Sequence, residues 1–149
     1  MLFRSRKAIP MLLEWSPQHE LGVTRMDATH REFVALVNSL FEASDADMLA
    51  SLDALIAHTV EHFEQENRWM EETNFPPVGC HKQEHDSVLE IMREVRSRYL
   101  AGETDLGQKL AEELPHWFEH HVDTMDNMLA RFMIAWNATP APAAEQTPA

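Results

Sequence analysis

In the stretch HFEQENRWMEETNFPPVGCHKQEH, His62 and Glu66 stand four residues apart, and His81 and His85 repeat the spacing. Residues four apart lie one above the other on one face of an α-helix. Imidazole nitrogens and carboxylate oxygens gathered on such a face can bind a transition metal. That donor mixture suits iron and also accepts zinc, copper or manganese. The chain carries 9 histidines, so a single pair proves little. One inward histidine is ordinarily a hydrogen-bonded core residue, and only convergence of several on one interior point calls for an ion.

Convergence depends on the elements that carry these residues. Apolar residues recurring every three to four positions mark four amphipathic segments. The first, residues 27–43, places His30, Phe33, Val34, Val37, Leu40 and Phe41 on one stripe with Met26 just before it. The second, residues 46–73, carries Leu52, Leu55, Ile56, Thr59, Phe63 and Met70, with Asp45 or Ser44 as its cap. Pro76 and Pro77 end it, since neither can continue a helix. The third, residues 80–100, carries Val88, Met92, Val95 and Tyr99 and stops near Gly102. The fourth, residues 106–134, carries Leu110, Leu114, Trp117, Phe118, Met125, Met128, Leu129 and Phe132. Pro115 either kinks this long segment or opens its second half as a first-turn proline.

Four helices with short connections and no strand signal predict an all-α fold, an antiparallel up-down four-helix bundle. The bundle is expected to occupy residues 1–136, with an N-terminal arm ahead of the first helix. Residues 137–149, NATPAPAAEQTPA, are rich in proline and alanine and read as a disordered tail.

At about 100° per residue the histidines sort themselves. His30, His81, His85 and His121 fall within apolar stripes, His62 flanks one, and Glu66 lies near the middle of another. His58, His116 and His120 turn toward polar faces, and His19 precedes the first helix. Asp126, beside Val122 and Leu129, is a second inward carboxylate. An unpaired buried carboxylate costs several kcal/mol. Arg31, Lys82, Arg93 and Arg96 all fall on polar faces, which leaves a metal as the partner. Five imidazoles and two carboxylates exceed the needs of one ion, and two metals bridged by the carboxylates fit better.

Composition narrows the rest. A net charge of −13 disfavours nucleic acid, whose phosphates call for a basic footprint. One cysteine allows no intrachain disulfide and fits a reducing compartment. The opening MLFRSRKAIPMLLEW has an apolar run too short and too interrupted for a signal peptide, and no segment reaches the roughly 18 apolar residues of a membrane span. These features predict a soluble, cytoplasmic protein with no membrane span; a monomer is expected, though no feature of the sequence sets the oligomeric state.

Over about residues 15–132, the chain resembles the hemerythrins in their single-domain bacterial form. Trp15, MDATH, HFEQE, FP, HKQEH and WFEHHVDTMD carry the resemblance. It implies His30, His62, Glu66, His81, His85, His121 and Asp126 as ligands to two non-haem iron ions per chain. His81, His85 and His121 would hold one iron, and His30 and His62 the other. Glu66, Asp126 and a solvent-derived oxygen would bridge them, leaving one position vacant for dioxygen. Phe33, Phe63, Trp117 and Met125 are expected around that vacancy.

The resemblance implies reversible dioxygen binding, in storage, delivery or sensing, with a separate protein as recipient of oxygen or signal. A di-iron enzyme, whether oxidase, peroxidase or nitric oxide-handling protein, is the alternative. Asn67 stands where the family often has an acid and is expected to affect surface charge only. Phe75 replaces a common tyrosine. Cys80 is either an inert buried side chain or a thiol acidified at a helix start. Trp69, Trp117 and Trp136 are expected to pack, with Trp117 also a candidate for the oxygen pocket.

Overall fold

The computed structural model describes residues 13–138. The first twelve residues of the expected N-terminal arm and the tail from residue 139 lie outside the described residues. A 3-10 turn, Pro17–His19, precedes helices α1 (Thr24–Glu42), α2 (Met48–Glu72), α3 (Val78–Leu100) and α4 (Leu106–His121). One π-helical turn, Val122–Asp126, then joins α4 to α5 (Asn127–Ala138). The connections at 43–47, 73–77 and 101–105 are too short to let the chain do anything but reverse. Each helix packs on the next, and α1 closes the ring against α4. This is the expected four-helix bundle, and its last helix runs to Ala138, two residues past the expected boundary.

Local chemistry sets the turns. After α2, Asn74 takes a positive φ of 55°, its N–H donates to Glu71 O, and the Phe75 N–H donates to Met70 O. This pair of backward bonds satisfies orphan carbonyls of the last turn, and the buried Phe75 and Met70 accompany it as the usual apolar contact. The helix therefore ends before Pro76 and Pro77 are reached. Gly102, at φ 110°, repeats the device after α3, with bonds from Gly102 N to Tyr99 O and from Glu103 N to Arg98 O. At the start of α2 neither expected cap serves. The helix begins behind Asp47, and Ser44 closes the preceding turn by accepting the Asp47 N–H.

The entry to α1 rests on a buried acid. Asp27 accepts the N–H of Leu21 through Oδ1 at 2.8 Å and that of Gly22 through Oδ2 at 3.1 Å. Asp27→Ala would orphan the buried Leu21 donor, and an unsatisfied buried group costs roughly 1–3 kcal/mol. We expect a lower urea midpoint with an unchanged slope. A midpoint within error of the wild type would show that water replaces the carboxylate.

The fourth segment departs from expectation in an informative way. Pro115 does not open a second helix, because it lies inside the unbroken α4. The departure from α geometry comes later, at Val122–Asp126. In a regular helix the fifth residue along is rotated by about 140°, whereas a π turn, with bonds from i to i+5, brings it back over the first. The extra residue re-aims the residues around and after it. Met125 is only partly buried and Met128 is 54% exposed, so the expected inward stripe fails at these positions. Elsewhere the stripes hold, and Leu52, Leu55, Phe63, Met92, Leu114, Phe118 and Leu129 form the core with their neighbours.

Candidate metal centre

All seven residues singled out from the sequence are buried, none more than 5% exposed, and they meet in the middle of the bundle. His30 comes from α1, His62 and Glu66 from α2, His81 and His85 from α3, His121 from the end of α4 and Asp126 from the π turn. Without that turn, a carboxylate five residues after His121 would point away. With it, His121 Nε2 lies 3.0 Å from Asp126 Oδ1.

The two carboxylates are each split between two groups of imidazoles. Glu66 Oε2 lies 2.9 Å from His62 Nε2 and 3.4 Å from His30 Nε2. Its other oxygen, Oε1, lies 3.1 Å from His85 Nε2 and 3.5 Å from His81 Nε2. Asp126 behaves alike, with Oδ2 at 3.0 Å from His30 Nε2 and Oδ1 at 3.0 Å from His81 Nε2. Two donor sets result, His30–His62–Glu66–Asp126 and His81–His85–His121–Glu66–Asp126, with both acids shared.

These atoms suit cations better than they suit one another. His30 Nε2, His85 Nε2, His121 Nε2, Glu66 Oε1 and Asp126 Oδ2 are buried and lack hydrogen-bond partners. Among the described residues no lysine or arginine is buried to neutralise the acids. In the metal-free chain only protons on the imidazoles can do so. Burial by itself would depress His30, but the carboxylates of Asp126 and Glu66 close beside it outweigh that and raise the group to about 10. The same contest raises His81 to about 9. Burial and Glu66 push the Asp126 carboxyl up, and His121 and His30 overcome both to hold it well below its usual range. Glu66 is lowered too, its burial outweighed by His62, His30 and His81. His85 goes the other way, lowered by burial and by His81 and His121 against the opposing pull of Glu66.

Residues beyond the seven shape the site. Phe63 stacks on the His85 ring at 3.8 Å and Trp117 on His121 at 4.6 Å. Phe118 meets His30 edge-on, and Phe33 stacks on Phe118. Of the residues expected around the vacancy, Phe33 and Phe63 also meet the His62 ring, whereas Trp117 lies against His121 in the other group. Met125 lines a small apolar cavity on another side with Phe75, Pro77, Cys80, His81 and Met128. Cys80 is exposed, which excludes the inert buried thiol.

Sequence reasoning missed three partners. Asn67 is no mere surface substitution, because its Oδ1 accepts from His85 Nδ1 at 3.1 Å. Glu84 Oε1 lies 2.9 Å from His121 Nδ1. Both sit one residue from a predicted ligand, at the edge of an inward stripe, which was the only signal available. His19, left unassigned, is buried between Trp15 and Phe118 and ties the entry segment to α4 through Glu119. His116 and His120 are exposed as expected. His58 is partly buried, with Nε2 3.2 Å from the Thr29 carbonyl.

Comparison with known proteins agrees with this geometry. Residues 21–133 match the sequence model of a family described as hemerythrin HHE cation binding domain. A bacteriohemerythrin of Ralstonia nicotianae is 47% identical over 91% of this chain and 96% of its own length. One from Stenotrophomonas maltophilia is 29% identical over 80% of each. Among solved structures, wild-type hemerythrin superposes with a TM-score of 0.75 at 24% identity, covering 80% of this chain and 96% of the other, which speaks to the fold alone. With the match spanning most of the bundle, the chain belongs to the hemerythrin family of cation-binding domains.

Proposed function

We propose that this chain binds dioxygen reversibly at a non-haem di-iron centre held by His30, His62, Glu66, His81, His85, His121 and Asp126. The observation that carries the reading is the division of Glu66 and Asp126, each offering one oxygen to either group of histidines. Iron bound there supplies the electrons that dioxygen binding takes up and its release returns. The group with two histidines offers one donor fewer than the other, so a small ligand enters on that side. Phe118 and Phe33 pack against the His30 and His62 rings of that group.

Reversibility asks that no group protonate the bound ligand, since general acid catalysis needs a donor within hydrogen-bond reach. Outside the seven, the buried polar side chains among the described residues are His19, Asp27, Thr59 and Thr73. Each is bonded elsewhere, to Glu119, to Leu21 and Gly22, to Leu55 O and to Trp69 O. His58, the nearest outlying imidazole, is lowered by burial and by His62, and the Thr29 carbonyl occupies its Nε2–H. This supports a carrier over an enzyme. No helix of the described residues is long and apolar enough to cross a membrane. With one cysteine and a charge of −13, a soluble cytoplasmic monomer that stores, delivers or senses oxygen fits best.

The reduced protein is expected to take up one dioxygen per two irons and release it under argon over several cycles, followed by absorption spectroscopy. Sustained hydrogen peroxide production, or substrate oxidation at roughly 1 per second or more, would establish the enzyme instead. The fourth helix gives a second check. His121→Ala is expected to lower iron content, while His120→Ala and His116→Ala leave it at the wild-type level. The reverse pattern in elemental analysis would refute the assignment of His121.

A further inference from the structure

The two donor sets are not supported alike. Behind the three-histidine set stand Glu84, whose Oε1 is 2.9 Å from His121 Nδ1, and Asn67, whose Oδ1 is 3.1 Å from His85 Nδ1. Trp117 and Phe63 stack flat on the same two rings, at interplanar angles of 16° and 5°. Neither ring of the two-histidine set has such a carboxylate or amide partner, since Nδ1 of His30 and Nδ1 of His62 are buried without a hydrogen bond; in the three-histidine set only Nδ1 of His81 is left so. His62 also borders a cavity of about 200 Å³ lined by Arg25, Glu32, His58 and Glu61 at the bundle surface.

We propose that Glu84 is a positioning residue that makes the three-histidine position the tighter of the two metal positions, the first to load and the last to empty. The inference rests on the di-metal reading above. An imidazole that donates Nδ1–H to a carboxylate is fixed in the tautomer and orientation that aim Nε2 inward, and the negative charge makes Nε2 a stronger donor. Asn67 can fix the His85 tautomer in the same way but adds no charge. His30 and His62 must settle tautomer and orientation as the metal arrives, and the cavity beside His62 gives a chelator its approach.

The test is a titration of metal-free protein with Co(II), followed by calorimetry and visible absorption, and the release of Co(II) to excess chelator. The wild type is expected to show two separable events. Removing such a partner typically costs about 10–100-fold in metal affinity, so Glu84→Ala is expected to weaken the tighter event by that factor. Glu84→Gln, which keeps a hydrogen-bond acceptor without the charge, is expected between the two. In a His62→Ala background, which removes the weaker event, Glu84→Ala is expected to weaken the one that remains. Circular dichroism of metal-free Glu84→Ala should match the wild type, since this side chain is 31% exposed on a helix surface. Two events of which Glu84→Ala leaves the tighter unchanged, or weakens both equally, overturn the inference and leave the di-metal reading standing. A wild type that binds fewer than two Co(II) ions overturns that reading and the inference with it.

Discussion

Glu66→Ala is expected to empty both metal positions at once, whereas His62→Ala is expected to empty one. Glu66 is the only residue of α2 that faces both groups of histidines, with Oε2 toward His30 and His62 and Oε1 toward His81 and His85. Its loss takes an oxygen donor and half a negative charge from each position. Asp126, split in the same way, cannot make up the difference. Glu66→Gln is the sharper variant, because it keeps the shape and removes the charge that offsets two divalent cations. Elemental analysis reads the metal directly. The difference in melting temperature between metal-loaded and metal-free protein gives an independent reading, and it should collapse for Glu66→Ala and shrink for His62→Ala. The metal-free variant itself should fold, because imidazoles relieved of a carboxylate neighbour can shed their protons. Retention of half the wild-type metal by Glu66→Ala would show that the positions are independent and the shared geometry incidental.

The legibility of this arrangement in the sequence has a physical boundary. Helical periodicity located the four helices, because each must bury one stripe, and that stripe carried His30, His62, Glu66, His81 and His85 inward with it. The polar residues at such a stripe were themselves the anomaly that pointed to metal. Periodicity assumes one constant rotation per residue, however, and the π turn at Val122–Asp126 breaks it. Asp126 was found only because it neighboured apolar residues, while Met125 and Met128 were misplaced by the same assumption. The partners of the imidazoles were invisible for another reason. Asn67 and Glu84 reach across from one helix to a histidine on another, and no pattern within a single helix encodes which neighbour a long polar side chain will meet. Asn74 is a similar case, since two prolines drew attention to a helix end that the left-handed asparagine had already made.

The pH dependence of metal stabilisation should run opposite to that of the metal-free protein. Without metal, His30 at about 10 and His81 at about 9 stand above their ordinary 6.5. A raised folded value means stability that is fully present below the unfolded value and is lost as pH rises through the folded one. The metal-free bundle therefore loses stability between about pH 6.5 and 10 as its imidazolium protons leave two buried carboxylates unneutralised. Glu66 and Asp126, lowered in the fold, set the acid side, where stability fades as pH falls below their ordinary 4.5 and 3.8. These are the same contacts seen from both partners, so they define one window and are not to be added. With metal bound, the imidazole nitrogens carry cations in place of protons, and acid competes for them. Raising the pH thus weakens the metal-free fold while it strengthens metal binding. The melting-temperature gain on loading a redox-inert divalent ion such as Zn(II) should grow steadily from pH 6 to pH 9. A gain that is flat or shrinks over that range would mean that the buried carboxylates are not neutralised by histidine protons in the metal-free chain.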